Sequence, residues 1–299
     1  MTLVSVLLAL ALDRILLWHR DTELARVWQV LVATTARYMP PGWQGMGAVL
    51  LLVLPGTALI GLLQWAIGGW LFGLVGLLLA VIVLLFALGP LDVANSVDDY
   101  VEARRQGDGE RSDYYYARLA GEQRPEGRDE EDERFARAVF CQANDHLFAA
   151  LFWFCVLGPV GAALYRLVAE VALRPPEAVA ARPPLTRAAR DAIGILGWIP
   201  TRLLAIAYAL VGNFEAAFRR LRSGSPPVAD WLSANHALLS ATGVAALRAS
   251  EEPEGASPAT ASSDSAAADE PNAARWLVVR AVILWLAVLA LLTLAGWFG

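Results

Sequence analysis

The feature that most constrains this chain is the stretch Phe135–Leu173, which starts as a charged amphipathic helix and turns into membrane-grade sequence at Leu147. Its boundary holds a run of polar residues, Gln142, Asn144, Asp145 and His146, and its apolar part is broken at Gly158-Pro159. Arg166 and Glu170 lie near the far end. Titratable groups at the mouth of an apolar segment cost free energy unless they are satisfied or used. A fold for this chain must therefore either cap these groups or build a site from them.

The rest of the chain reads as an all-α, polytopic membrane protein. Hydrophobic residues make up 57% and charged residues 18% of 299 residues, against roughly half and a quarter in soluble domains. Two clear spans run over residues 46–67 and 70–88. The Gly68-Gly69 link between them predicts a tight antiparallel hairpin, with Trp43, Trp65 and Trp70 placed for interfacial belts. A final span covers Trp276–Trp297. The first apolar run, Leu3–Leu12, is too short to cross alone, since a span needs about twenty residues. It reads as a membrane-embedded helix whose Asp13 and Arg14 face protein, or as an interfacial helix. It lacks a basic start and a small-residue cleavage site, so it does not read as a cleaved signal peptide.

Six regions follow: a membrane region over 1–90, a charged helical segment over 91–146, and membrane or interfacial helices over 147–218. An amphipathic helix over 219–248, an acidic low-complexity linker over 249–274 and the terminal span over 275–299 complete the chain. The linker is too polar to bury a core and reads as disordered. In the charged segment Val93, Val97, Tyr100 and Val101 share a helix face, the Gln106–Gly109 run breaks it, and Ser112–Leu119 starts a second helix. The acidic run Asp129–Glu133 suits the N-terminus of the next helix. Residues 91–146 hold eight Arg and residues 174–275 hold ten, so both favour the cytoplasmic side. A single crossing by 147–173 puts them on opposite sides. A re-entrant turn at Gly158-Pro159, or a return crossing by 193–213, removes the conflict.

Several functions are excluded. All 24 basic residues are Arg, and a phosphate-binding Walker loop needs Lys. A net charge of −5 with no basic stripe argues against nucleic acid. Cys141 and Cys155, fourteen apart on one helical stretch, lie about 21 Å apart if the helix is straight and cannot bridge. No nucleophile elbow, zincin or dinucleotide motif is present.

Two constellations remain. Asp92, Asn95, Asp99 and Glu102 fall on one helix face, which reads as a solvated acidic face or as a Mg²⁺ site built on Asp92, Asp99 and Glu102. Gln142, Asp145 and His146 share a face with Asn144 beside them, as a polar cap or an acid/base pair. Arg202 stands in apolar surroundings, placed to meet a phosphate, to pair with a carboxylate such as Asp145, or to snorkel.

The segments SVDDYVEARRQGD, FCQANDHLFAALFWFCVLGPVGAALYR and GWIPTRLLAIAYALVGN resemble the AmpE family and, more distantly, the cobinamide-phosphate synthases CobD and CbiB. AmpE proteins are multi-pass inner-membrane proteins named for their association with β-lactamase induction, and are typically encoded beside an amidase of cell-wall muropeptide recycling. The resemblance implies a regulatory or sensory role with a signalling partner in the cytosol or the membrane. The synthases carry Glu-Asn-x-x-Asp where this chain has Cys141, Gln142 and Asp145, and an Asn and an Asp where it has Ala169 and Ala172. The Pro-x-Arg-Leu element survives as Pro200, Arg202 and Leu203. The resemblance thus implies a synthase-like scaffold with a depleted site and no required cofactor. The expected site is a pocket between the 92–102 helix, Asp145 and Arg202 that takes a small anionic ligand; an active membrane ligase or phosphate-transferring enzyme is the alternative.

Overall fold

The computed structural model describes residues 2–15, 23–40, 42, 45–67, 74–88, 93–223, 230–248 and 270–295, and all regular structure among them is helical. The helices are α1 (Thr2–Ile15), α2 (Glu23–Tyr38), α3 (Met46–Ile67), α4 (Leu74–Leu88), α5 (Val93–Arg105), α6 (Gly109–Ala120) and α7 (Arg128–Ala143). A π-helical turn, Asn144–Phe148, joins α7 to α8 (Ala149–Leu173). Then come α9 (Glu177–Ala180), α10 (Pro183–Val211), α11 (Phe214–Arg222), α12 (Trp231–Arg248) and α13 (Glu270–Leu294).

The polar helices form a small unit of their own. On α5 the expected face is buried at Val97, Tyr100 and Val101. Tyr100 stacks on Phe135 with ring centroids 4.1 Å apart, and Tyr116 of α6 closes the aromatic cluster at 5.9 Å from Phe135. Asp108 caps α6 by accepting from the Arg111 N–H, and Gly121 ends it at φ 72°, a left-handed conformation that a residue without Cβ adopts freely. The acidic run that opens α7 does more than complement the helix dipole. Glu131 and Asp132 turn inward and are buried, where Glu131 accepts from the Tyr100 hydroxyl and Asp132 from Arg104.

Five helical stretches are long and apolar enough to cross a bilayer, and the third of them, Arg128–Leu173, is folded back on itself. Gly158 sits at φ 66°, ψ −154° and Pro159 follows it; the proline has no N–H to continue the ladder. In a straight helix His146 and Arg166 would be about 30 Å apart; here His146 Nδ1 lies 3.4 Å from an Arg166 guanidinium nitrogen. Gly161 presses so closely on the Trp153 carbonyl that a side chain there has no room. Arms of eleven and fifteen residues (147–157 and 159–173) are each too short to cross about 30 Å of hydrocarbon. The segment folds as a helical hairpin, the geometry that one of the two resolutions of the arginine distribution requires. Such a hairpin needs protein around it, and Ala149, Leu151, Phe154, Ala162, Ala163 and Leu167 are buried, with α3, α4 and α10 packed against it. Both of its ends therefore lie together, with His146 of the first arm against Arg166 of the second.

Other elements differ in detail from the sequence reading. The amphipathic piece after residue 19 is a sixteen-residue helix, α2, whose Trp28 packs on Gly56 of α3. The α1 face with Val6 and Ala9 is buried and α1 packs on α4; the side chains of Asp13 and Arg14 lie outside the described residues, as do the Gly68-Gly69 link, Trp43 and Trp70. Pro200 does not split α10. Most of the acidic linker lies outside the described residues, but α13 starts at Glu270, so the linker's last residues are helical. Arg275 at the head of α13 pairs with Asp98 of α5, tying the terminal span to the polar unit.

Candidate functional site

The mouth of the hairpin is where the buried polar groups gather. The π-turn is the local cause: an extra residue per turn re-aims side chains, and Asn144, Asp145, His146 and Phe148 are all buried. Asp145 accepts from Asn144 at 3.1 Å and pairs with Nε2 of His236 at 2.8 Å. His236 comes from α12, which is held by Asn235 donating to the Gly194 carbonyl of α10 at 2.7 Å and by Gly243 giving way to the Phe140 ring. The Cys141 thiol donates to the His236 carbonyl at 3.7 Å. On the other arm, Arg166 pairs with Glu170, which also accepts from Gln29 of α2 at 3.5 Å.

The pair has a definite chemistry. A carboxylate can only accept, so its bond fixes the proton of His236 on Nε2 and leaves Nδ1 as the exchangeable position. The Asp145 side chain is 5% exposed and that of His236 is 32% exposed, so one edge of the imidazole lies at the protein surface. Burial lowers the His236 pKa, but the Asp145 charge and hydrogen bond outweigh it and raise it above the ordinary histidine value. Two buried polar atoms beside the pair, Asn144 Oδ1 and Tyr165 Oη, have no hydrogen-bond partner. Buried polar atoms are nearly always satisfied by protein or water, and these two lie at the same mouth of the hairpin as the pair.

The residues singled out in the sequence divide. Asp145, Asn144 and His146 belong to the cluster. Gln142 does not: it donates to the Leu119 carbonyl at 3.1 Å, fastening α7 to α6. Arg202 does not approach Asp145. Its guanidinium stacks 3.9 Å over the Trp198 ring and donates to the Trp198 carbonyl. On α5, Asp99 and Glu102 are exposed and Asn95 is half-buried, while Glu102 accepts from Gln106; Asp92 lies outside the described residues. The pocket expected between the acidic face, Asp145 and Arg202 is thus not formed by the described residues. Among them, no three His, Cys, Asp or Glu side chains converge as a metal site. The sequence reading missed His236, Tyr165 and Gln29. The available signal is the Asn235-His236 step on α12, whose pattern by itself gives only an amphipathic helix.

Fold and site together define a polytopic helical membrane protein with a helical hairpin and a part-buried Asp–His pair at its mouth. The chain matches the family described as "Regulatory signalling modulator protein AmpE" over residues 1–298 and belongs to that family; it is a regulatory membrane protein. It is also similar to two cobalamin biosynthesis proteins CobD. That of Stutzerimonas stutzeri (strain A1501) is 34% identical over 215 residues, covering 69% of this chain and 66% of the relative. That of Chromobacterium violaceum is 30% identical over 257 residues, covering 80% and 78%. No solved structure matches the chain.

Proposed function

We propose that this protein is an inner-membrane sensor in β-lactamase induction and cell-wall recycling, which binds a small wall-derived ligand at the Asp145–His236 pair and passes the signal to a cytosolic or membrane partner. The observation that carries the reading is the pair itself, part-buried at the mouth of a hairpin with Asn144 Oδ1 and Tyr165 Oη close by. Wall fragments combine carboxylates with amide and hydroxyl groups. A protonated His236 suits the carboxylate, and Asn144 Oδ1 and Tyr165 Oη suit the amide or hydroxyl donors. The family supports the regulatory half of the reading.

The second reading, a ligase or phosphate-transferring enzyme akin to the CobD relatives, draws on the same pair as an acid/base couple. Against it stand Ala169 and Ala172, which are buried in the apolar face of the hairpin at positions where that chemistry calls for polar groups.

The test is a thermal-shift titration of the full-length protein in detergent, with Asp145→Asn alongside. Anhydro-muropeptides, Mg-ATP and cobinamide precursors form the panel. Stabilisation of the wild type alone by a muropeptide supports the sensor. Stabilisation by Mg-ATP together with a cobinamide precursor replaces the sensor with the enzyme.

A further inference from the structure

A second feature lies away from the polar cluster. Helix α10, the first arm of α8 and α13 enclose a groove of about 280 Å³. Phe152, Cys155, Ile206, Leu210, Trp285 and Val288 are among its walls, and no wall residue carries a charge or an amide side chain. All three helices belong to stretches apolar enough to cross a bilayer, and Val156, Ile206, Leu210 and Val288 on the rim are exposed. The groove is therefore open towards hydrocarbon.

What distinguishes it from an ordinary lipid-facing surface is the cation beside it. Arg202 stands four and eight residues before Ile206 and Leu210, on the same face of α10 and about one helical turn from the groove wall. Trp198 supports its guanidinium from below by stacking, which holds the group in place without using up its charge. Among the described residues no carboxylate pairs with it. A lone guanidinium at the edge of an apolar slot matches a molecule with an anionic head and a hydrocarbon tail, and guanidinium suits phosphate by bidentate geometry. A helix from another protein, about 10–12 Å across, does not enter a slot of this volume; a single hydrocarbon chain does.

We propose that the groove seats one acyl chain of an anionic diacyl phospholipid whose phosphate is held by Arg202. The site is independent of the Asp145–His236 cluster, so its test does not depend on the function proposed above.

The full-length protein is purified in mild detergent, delipidated and supplied with phosphatidylglycerol or phosphatidylcholine, and retained lipid is counted by native mass spectrometry. The wild type keeps one phosphatidylglycerol per chain and releases phosphatidylcholine. Arg202→Gln weakens retention about tenfold or more, the share of a charged hydrogen bond. Ile206→Trp, which fills the slot from its rim, abolishes retention with Arg202 intact. Both variants are judged only where they melt with the wild type in lipid-free detergent. A measurement on unmodified protein stands beside them: Cys155 lines the groove, so phosphatidylglycerol slows its reaction with a membrane-permeant maleimide, while Cys141, at the polar cluster, serves as the internal reference. Equal retention by all three proteins, or a Cys155 rate unmoved by phosphatidylglycerol, overturns the proposal.

Discussion

His236→Gln separates the charge of the Asp145–His236 pair from its hydrogen bond, because glutamine keeps a neutral donor for the carboxylate. A hydrogen bond involving charge contributes about 1.5–3 kcal/mol and a neutral one about 0.5–1.5. With the His236 side chain 32% exposed, the lower ends of these ranges apply, and the substitution costs about 1 kcal/mol when the imidazole is charged. Its folded pKa is raised above the ordinary value, so this contribution is fully present below about pH 6.5 and is lost as pH rises through the raised value. The expected deficit is thus about 2–4 °C in melting temperature at pH 6, shrinking at pH 9. Thermal melts of wild type and His236→Gln in detergent across that range measure it, and Asp145→Asn in the same series should remove the pH dependence. A deficit as large at pH 9 as at pH 6 refutes the charged pair, whatever its absolute size.

Other outcomes follow from the same geometry. Gly161→Val has to force the hairpin arms apart, because its Cβ meets the Trp153 backbone; the protein should unfold or lose at least about 2 kcal/mol in a denaturant titration, whereas Val160→Ala on the neighbouring turn is mild. Reporter fusions placed after residue 127 and after residue 176 should report the same side of the membrane; opposite sides would mean that 147–173 crosses. Tyr100→Phe leaves Glu131 without its hydroxyl donor and costs about 1–3 kcal/mol, while Arg275→Gln, whose Asp98 partner is about half exposed, costs under about 1 kcal/mol in the same unfolding assay.

The sequence was most legible where one helix decides its own fate. The Val97, Tyr100, Val101 face, the break at Gln106–Gly109, the two long N-terminal spans and the kink at Gly158-Pro159 all follow from periodicity and from backbone chemistry local to a few residues. Arginine content poses a topological question to which a hairpin at Gly158-Pro159 is one of two answers. The site was legible only by half. Asp145 stands out as an acid at an apolar boundary, but its partner lies 91 residues further on, in a helix whose pattern says only that one side is apolar. Pairings across that separation depend on how α10 and α12 cross, and this is decided by Gly194, Gly212 and Gly243 permitting close approach, which no period reveals. Arg202 illustrates the complementary case. Its apolar setting left a phosphate, a carboxylate such as Asp145 or the interface open as partners, and the structure removes only the Asp145 pairing, because the guanidinium stacks on Trp198 instead.

The hairpin offers a way for a binding site to serve regulation. Asp145 sits on the π-turn that joins the polar α7 to the first arm of the hairpin, and its ion-pair partner His236 belongs to α12. A ligand whose carboxylate competes with Asp145 for His236 must loosen the pair, and through it the seat of α12. That helix packs on α7, α10, α11 and α13, and α13 is tied to α5 by Arg275 and Asp98. On the proposed reading, ligand binding is therefore exchanged directly against a helix–helix contact, with no long pathway between them. Such coupling is reciprocal. Substitutions at the α10–α12 crossing that leave Asp145 and His236 untouched, Gly212→Ala first among them because its Cβ meets the Ala246 backbone and side chain, should change ligand affinity in the thermal-shift titration. Affinity that ignores the crossing while responding to Asp145→Asn would leave a binding site with no mechanical link to the rest of the protein, and would remove the structural basis for a sensor.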